Sequence, residues 1–389
     1  MVTPALGAPA RFGVLSFLGF VCLMLAACSS SRQPIVCAIP ADGDTCMSPS
    51  PLLYATSTSS QVLPFTINNS SGALTAMTPA AGPANSGSIV NLGFFLLFAD
   101  PSTDAVDSDQ VNSGGGLMTV AGSPFSLGTA AGGPTSILGA PAGFFYASEP
   151  DGTIVGFSTP GDGTLTAPVP NSPFAAGMAP AQMAAATLSA TAPAPNALYA
   201  SDAGSPSGGI LAYTLDSTGS LTPLANSPFS AAPNATPGSV LTESSFLFVS
   251  LVSNASLTNV GEVAVLSIDL NTGALTPVPG SPFTVGNGPS TLAVDSSNHL
   301  FVLNAGDHTI SAFNIESNGM LSAIGSPVAA GTATSGLAVY PPYLYVADTS
   351  ADSILTFKID AATGAVTASG STAAANPPLQ LTVVNLPVI

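Results

Sequence analysis

Few side chains in these 389 residues could do more than build a core. Two histidines stand late in the chain. His308 follows Asp307, so a carboxylate-oriented imidazole could act there as a general base, although a solvated loop uses the same pair. His299 falls in a turn that the strand pattern sends to the opposite face, so the two imidazoles are not expected to share a site. Acids or amides recur three positions after an aromatic residue, as Glu149, Asp202, Asn304 and Asp348, with Asp100 one position earlier in its own unit. Such a ring of oxygens could bind Ca²⁺ or a polar ligand; capping of each strand end by an Asx turn is the alternative. Asp100, Asp104, Asp107 and Asp109 make a second acidic stretch, either a Ca²⁺ loop without the EF-hand ligand order or a solvated loop. No other cofactor is expected. The many serines lack a nucleophile elbow and read as background.

Missing residue types narrow the chemistry further. Lys+Arg number 3 against 20 Asp+Glu, charged residues make up 6%, and the formal charge is −17. Nucleic-acid binding needs a basic face and a coiled coil needs charged flanks, so neither is expected. The cations are Arg11, Arg32 and Lys358. With no Arg beyond position 32, a bidentate grip on a carboxylate or phosphate is not available to the body of the chain.

The elements that carry these residues begin with an apolar, charge-free run from Phe12 to Ala27. It is shorter than the roughly 20 residues a spanning helix needs, and it follows Arg11 as a signal-peptide apolar segment would. Leu25-Ala26-Ala27-Cys28, with serines after it, resembles a bacterial lipobox. Residues 1–27 therefore read as a lipoprotein signal peptide and 28–51 as a tether lipidated on Cys28. That implies an exported, cell-envelope chain, with Ser after the Cys favouring the outer membrane, facing either the periplasm or the cell surface. Loss of Arg11 leaves two basic residues against 20 acids, a formal charge of −18. Such a surface repels anionic headgroups, so attachment to the membrane rests on the acyl chains. Cys22 leaves with the signal. Cys37 and Cys46 remain, and an oxidising compartment favours a disulfide between them, with free thiols or a weak metal site as alternatives.

Beyond residue 50 one phrase recurs. It consists of an apolar strand carrying an aromatic, a loop, an alternating strand, a Gly turn, and a short strand ending at Ser-Pro-Phe. Aligned on the aromatic, the copies fall at Tyr54, Phe98, Tyr146, Tyr199, Phe248, Phe301 and Tyr345, 44 to 53 residues apart. Gly72, Gly163, Gly219, Gly273, Gly319 and Gly364 take equivalent turn sites. Aromatics of the next strand, Phe65, Phe157, Tyr213, Phe313 and Phe357, should face the core between units, and Lys358 should point away from it. The second unit is the weakest copy, since acids occupy its expected second strand. Ser-Pro-Phe at 123–125, 172–174, 227–229 and 281–283 places a proline at an outer edge, where a missing N–H costs no ladder bond. A further strand precedes most aromatic strands but not Leu52; Pro378 to Val384 fits that template and should complete the first unit and close the ring.

These features resemble the lactonase-like, or YVTN-type, seven-bladed β-propellers, which include phosphogluconolactonase-like proteins. The resemblance spans residues 52 to 386 and rests on the Tyr345-Val-Ala-Asp348 strand, the Ile354 strand, the Thr363-Gly364 turn and the Ser-Pro-Phe edge. It implies an all-β fold of four-stranded antiparallel blades over residues 52–389. Lactone-processing members carry Arg, His and Glu on one face; here the arginine is missing, which argues against a phosphorylated sugar lactone. The expectation is an exported, monomeric binding or scaffold module of the envelope, holding a small molecule, glycan or protein on the face after the aromatic strands. The alternative is a hydrolase of an uncharged lactone.

Overall fold

A computed structural model describes residues 50–128, 132–188, 196–204, 209–253 and 261–385 of the chain. The expected signal segment 1–27, Cys28, Arg32, Cys37 and Cys46 lie outside the described residues. No helix occurs among those described.

Seven antiparallel sheets form, one for each repeat. The third blade shows the order most simply: Ser136–Ala140 innermost, then Phe144–Ser148, Thr153–Ser158 and Phe174–Ala175 outermost. The first blade begins its sequence at Leu52–Ser57, and its innermost strand is Pro378–Val384 from the other end of the chain. Each innermost strand touches the next all the way round, so the ring closes as the sequence template requires. The strands form where β-branched, aromatic and small apolar residues alternate. Both faces of the second and third strands pack against neighbouring blades, which is why Tyr343–Asp348 is buried at every position.

Core packing runs blade to blade. On one face of the second strand Tyr54, Tyr146, Tyr199, Phe248, Phe301 and Tyr345 point toward the next blade, all 0% exposed. Four of these tyrosines donate their hydroxyl to the carbonyl of the next blade's turn glycine: Tyr54 to Gly115 at 2.8 Å, Tyr146 to Gly219 at 2.6 Å, Tyr199 to Gly273 at 2.8 Å and Tyr345 to Gly72 at 3.0 Å. A buried hydroxyl must find a partner, and each such bond contributes about 1 kcal/mol. The six expected turn glycines, with Gly115 in the second blade, all have positive φ. Lys358 is exposed between buried Phe357 and Ile359, as alternation requires.

The second blade corrects the aromatic alignment. Leu97, not Phe98, faces the third blade, where it packs with Phe145 and Ala147; Phe98 turns back onto Leu52 and Tyr54 of the first. Leu97 has no hydroxyl, and Ser108 supplies one instead, donating to the Gly163 carbonyl at 2.7 Å. Asp104 lies in the turn that follows Asp100, but Asp107 and Asp109 do not share that loop. Asp107 and Asp109 lie within the strand Ala105–Val111, held by ladders on both sides.

Ser-Pro-Phe does more than blunt an edge. In blades two, four and five it bridges two short pieces of the outermost strand, such as Leu275–Pro277 and Phe283–Thr284. Its serine replaces the missing ladder partner: Ser123, Ser172, Ser227 and Ser281 accept the backbone N–H of Ser108, Gly156, Ala212 and Val265 at 2.8–3.0 Å.

Candidate functional site

With the second blade in register, one position falls at or next to the end of the second strand in six blades, as Ser57, Asp100, Glu149, Asp202, Asn304 and Asp348, with Leu251 at the equivalent place inside the longer strand of the fifth. The repeat therefore brings all five sequence-predicted oxygen ligands to one end of the ring. Their environments differ sharply.

Asp202 and Asp348 fasten the loop that leads into their own blade. Asp202 accepts the N–H groups of Met178, Ala179 and Gly204 at 2.9–3.3 Å. Asp348 accepts those of Thr332 and Ala333, together with the hydroxyls of Thr332 and Ser350. Burial alone would raise the Asp348 carboxyl, but these donors outweigh it and hold the group below its ordinary value. Gly331, at φ +117, brings its backbone against this carboxylate where any side chain would collide. Asn304 donates to Thr309 and Ser311 at 3.1 and 2.9 Å, and its Oδ1 has no partner. Asp100 is half-buried and takes donors from Ser102 and Thr103, so it too stays below its usual range despite burial.

Glu149 is the exception. It is 0% exposed, and neither carboxyl oxygen has a hydrogen-bond partner. Burial, followed by repulsion from Asp104 and Asp151, pushes its carboxyl up to about 8, so it is mostly neutral at pH 7. Asp107 behaves similarly: burial, then Asp100 and Asp109, raises it to about 6, and burial also raises Asp109 against a hydrogen bond from Thr119. Among the described residues no group of three or more His, Cys, Asp or Glu side chains is placed to hold a metal ion.

The histidines sit at opposite ends of one strand. His308, in a left-handed turn at φ 54, is half-buried with its Nδ1 unpartnered. Its neighbour Asp307 accepts the Asn287 N–H at 2.6 Å, and the one histidine–carboxylate pair among the described residues is His299 Nδ1 to Asp295 at 2.8 Å. His299 fills a structural slot. A Cβ on Gly364 would lie 2.6 Å from its ring, and Phe95, Phe144, Phe246 and Tyr343 meet the equivalent glycines of their neighbours in the same way.

Between these strand ends the channel opens into a cavity of about 470 Å³. Its wall is formed by Thr135, Pro150, Pro180, Gln182, Ser239 and Ser290 with small neighbours, none of them charged. Sequence reading missed these residues because it followed the second strands. Innermost strands bulge near their first residues, between Pro180 and Met183, Pro237 and Val240, and Pro289 and Thr291, and the bulged residues turn inward. A detectable signal exists in five of the seven blades: Pro134, Pro180, Pro237, Pro289 and Pro378 stand at or near the start of the innermost strand. The mouth can hydrogen-bond a neutral molecule through hydroxyls, an amide and freed backbone groups, and offers an anion no cation.

Residues 247–375 match the model of a family described as lactonase, 7-bladed beta-propeller. No curated protein sequence matches the chain. A periplasmic gluconolactonase of Pseudomonas aeruginosa superposes with a TM-score of 0.70 at 18% identity, over 87% of this chain and 99% of the other. A candidate 6-phosphogluconolactonase of Bacteroides fragilis gives 0.67 at 17%, over 89% and 100%. A similar candidate from Bacteroides uniformis gives 0.68 at 17%, over 86% and 100%. The resemblance seen in the repeats is thereby borne out, and the fold is that of the lactonase-type seven-bladed propeller.

Proposed function

We propose that the chain is an exported, lipid-anchored propeller whose channel mouth binds a small, uncharged, polar ligand at the cell envelope. The observation that carries this reading is the wall of the 470 Å³ cavity, built wholly from neutral side chains. A pocket of that size suits a small molecule, and bulged strands give it hydrogen-bonding groups that a sugar or a lactone can use. Export is supported by Cys28 after Leu25-Ala26-Ala27 and agrees with the periplasmic address of the Pseudomonas aeruginosa neighbour.

A second reading, hydrolysis of an uncharged lactone, is favoured by one observation: a neutral carboxylic acid, Glu149, directly precedes Pro150 of the cavity wall. Acids raised toward neutrality are the groups that donate protons in catalysis. One panel decides between the readings. Binding and turnover are measured together on neutral lactones and polyols, with Ser239→Trp to plug the mouth and Glu149→Gln to remove the acid. Binding without turnover, lost on plugging, supports the binding module; turnover lost in Glu149→Gln promotes the hydrolase. No binding by the wild-type chain to any member of the panel overturns both.

A further inference from the structure

Glu149 is unusual because equivalent positions solve the same problem differently. The side chains of Asp202 and Asp348 are buried, and each accepts backbone N–H groups. Glu149 is buried just as deeply with no donor at all. The charged groups facing it are both acids, Asp104 on the loop of the second blade and Asp151 on its own loop. Nothing cationic offsets them. A carboxyl in this position can stay covered only while it keeps its proton, since a buried unpaired charge costs more than local opening.

The segment that follows it, Pro150–Gly152, is a turn on which Asp151 accepts the Thr153 N–H and hydroxyl. The Glu149 N–H donates to the Thr153 carbonyl at 2.8 Å, the Gly152 N–H to the Glu149 carbonyl at 3.2 Å, and the Ala176 N–H to the Gly152 carbonyl at 2.7 Å. Gly152, at φ +85, lies so close to the Gly177 carbonyl that a side chain there would collide. Pro150 of this segment belongs to the cavity wall.

We propose that Glu149 and the segment Pro150–Gly152 form a proton-controlled gate on the channel mouth, closed while the carboxyl is protonated and lifted when it ionises. This rests on the mouth being the ligand site and adds its regulation by pH. In the closed state the acid is neutral and buried. On ionisation, repulsion from Asp104 and Asp151 and recovery of hydration drive the carboxylate outward, the hydrogen bond from Ala176 to Gly152 breaks, and the wall opens between the third and fourth blades. Linkage fixes the sign and window. The closed state holds the proton up to about pH 8, the open state releases it near the ordinary carboxyl value, so opening grows as pH rises between those limits and levels off above.

Hydrogen–deuterium exchange of the mature chain without ligand tests this. The probes are the amides of Glu149, Gly152 and Ala176, measured from pH 5 to 9 in the wild type and in Glu149→Gln, which keeps the shape but cannot ionise. The ratio of exchange rates, wild type over variant, should climb about tenfold per pH unit toward pH 8 and then flatten. Asp151→Asn removes one repelling charge, lowers the closed-state value and should shrink the total climb; it also serves if the glutamine variant does not fold, as the comparison with the wild type remains. A ratio independent of pH, or an equal total climb in wild type and Asp151→Asn, would overturn the gate. Because no ligand is present, loss of the proposed binding activity and loss of the gate register as separate failures.

Discussion

At the residue scale, the two histidines show how position decides role. His299 reads from the sequence as a turn histidine, and its place at the opposite strand end from His308 was legible from alternation alone. Its function was not, because the slot it fills is defined by the glycine turn of the next blade, Gly364, 65 residues along. Four aromatics fill the same slot elsewhere, so His299 acts as a packing ring with a bond to Asp295. His299→Phe should therefore melt close to the wild type, whereas His299→Ala should lose about 2–4 kcal/mol by leaving a cavity at the seam. Denaturation monitored by circular dichroism distinguishes them, and a phenylalanine variant as damaged as the alanine one would contradict the slot. Asp307 and His308 are adjacent in sequence, yet the Asp307 carboxylate accepts the Asn287 N–H across the loops. Contacts between loops of this kind leave no trace in local spacing.

At the scale of elements, the ring closure was readable because composition betrayed it. Residues 40 to 51 lack a strand's apolar alternation, and Pro378 to Val384 has it. The innermost strand of the first blade comes from the C-terminus, and it also contacts the innermost strands of the second and seventh blades. Deleting residues 377–389 should thus expose the edge of Leu52–Ser57 and lower the melting temperature of the whole propeller in one cooperative step. An unchanged melt would show that closure contributes nothing. Two features stayed hidden. In the second blade Phe98 outweighed Leu97 as an alignment mark, and only the direction of packing revealed the one-residue slip that returns Asp100 to the ring. The bulges that turn Gln182, Ser239 and Ser290 inward break the period of two, so a pattern built on that period passes over them.

At the scale of the whole molecule, acidity takes two forms. Exposed carboxylates such as Asp162, Asp216 and Asp360 accept donors from their own turns, and these hydrogen bonds hold them below the ordinary value. Their contribution to stability is present above that value and fades as pH falls through the lowered one. Asp107, Asp109 and Glu149 are raised by burial, so their contribution is complete below the ordinary carboxyl value and is lost as pH rises, through about 6 for Asp107 and about 8 for Glu149. The two sets together place maximum stability in mildly acidic solution, and the melting temperature near pH 5 should exceed that near pH 8.5, with Glu149→Gln flattening the difference.

The same shortage of cations shapes the ligand. A formal charge of −17, a single exposed lysine in the seventh blade and a neutral cavity wall leave an anionic ligand with no counter-charge to meet. The most direct test compares wild-type binding of a neutral sugar lactone with that of the same lactone carrying a phosphate, by calorimetry at pH 8, where the mouth is open. Saturable binding of the neutral compound, with the phosphorylated one weaker by about 100-fold or more, is the predicted result, a difference of about 2.7 kcal/mol. Equal affinity, or preference for the phosphorylated lactone, would contradict it.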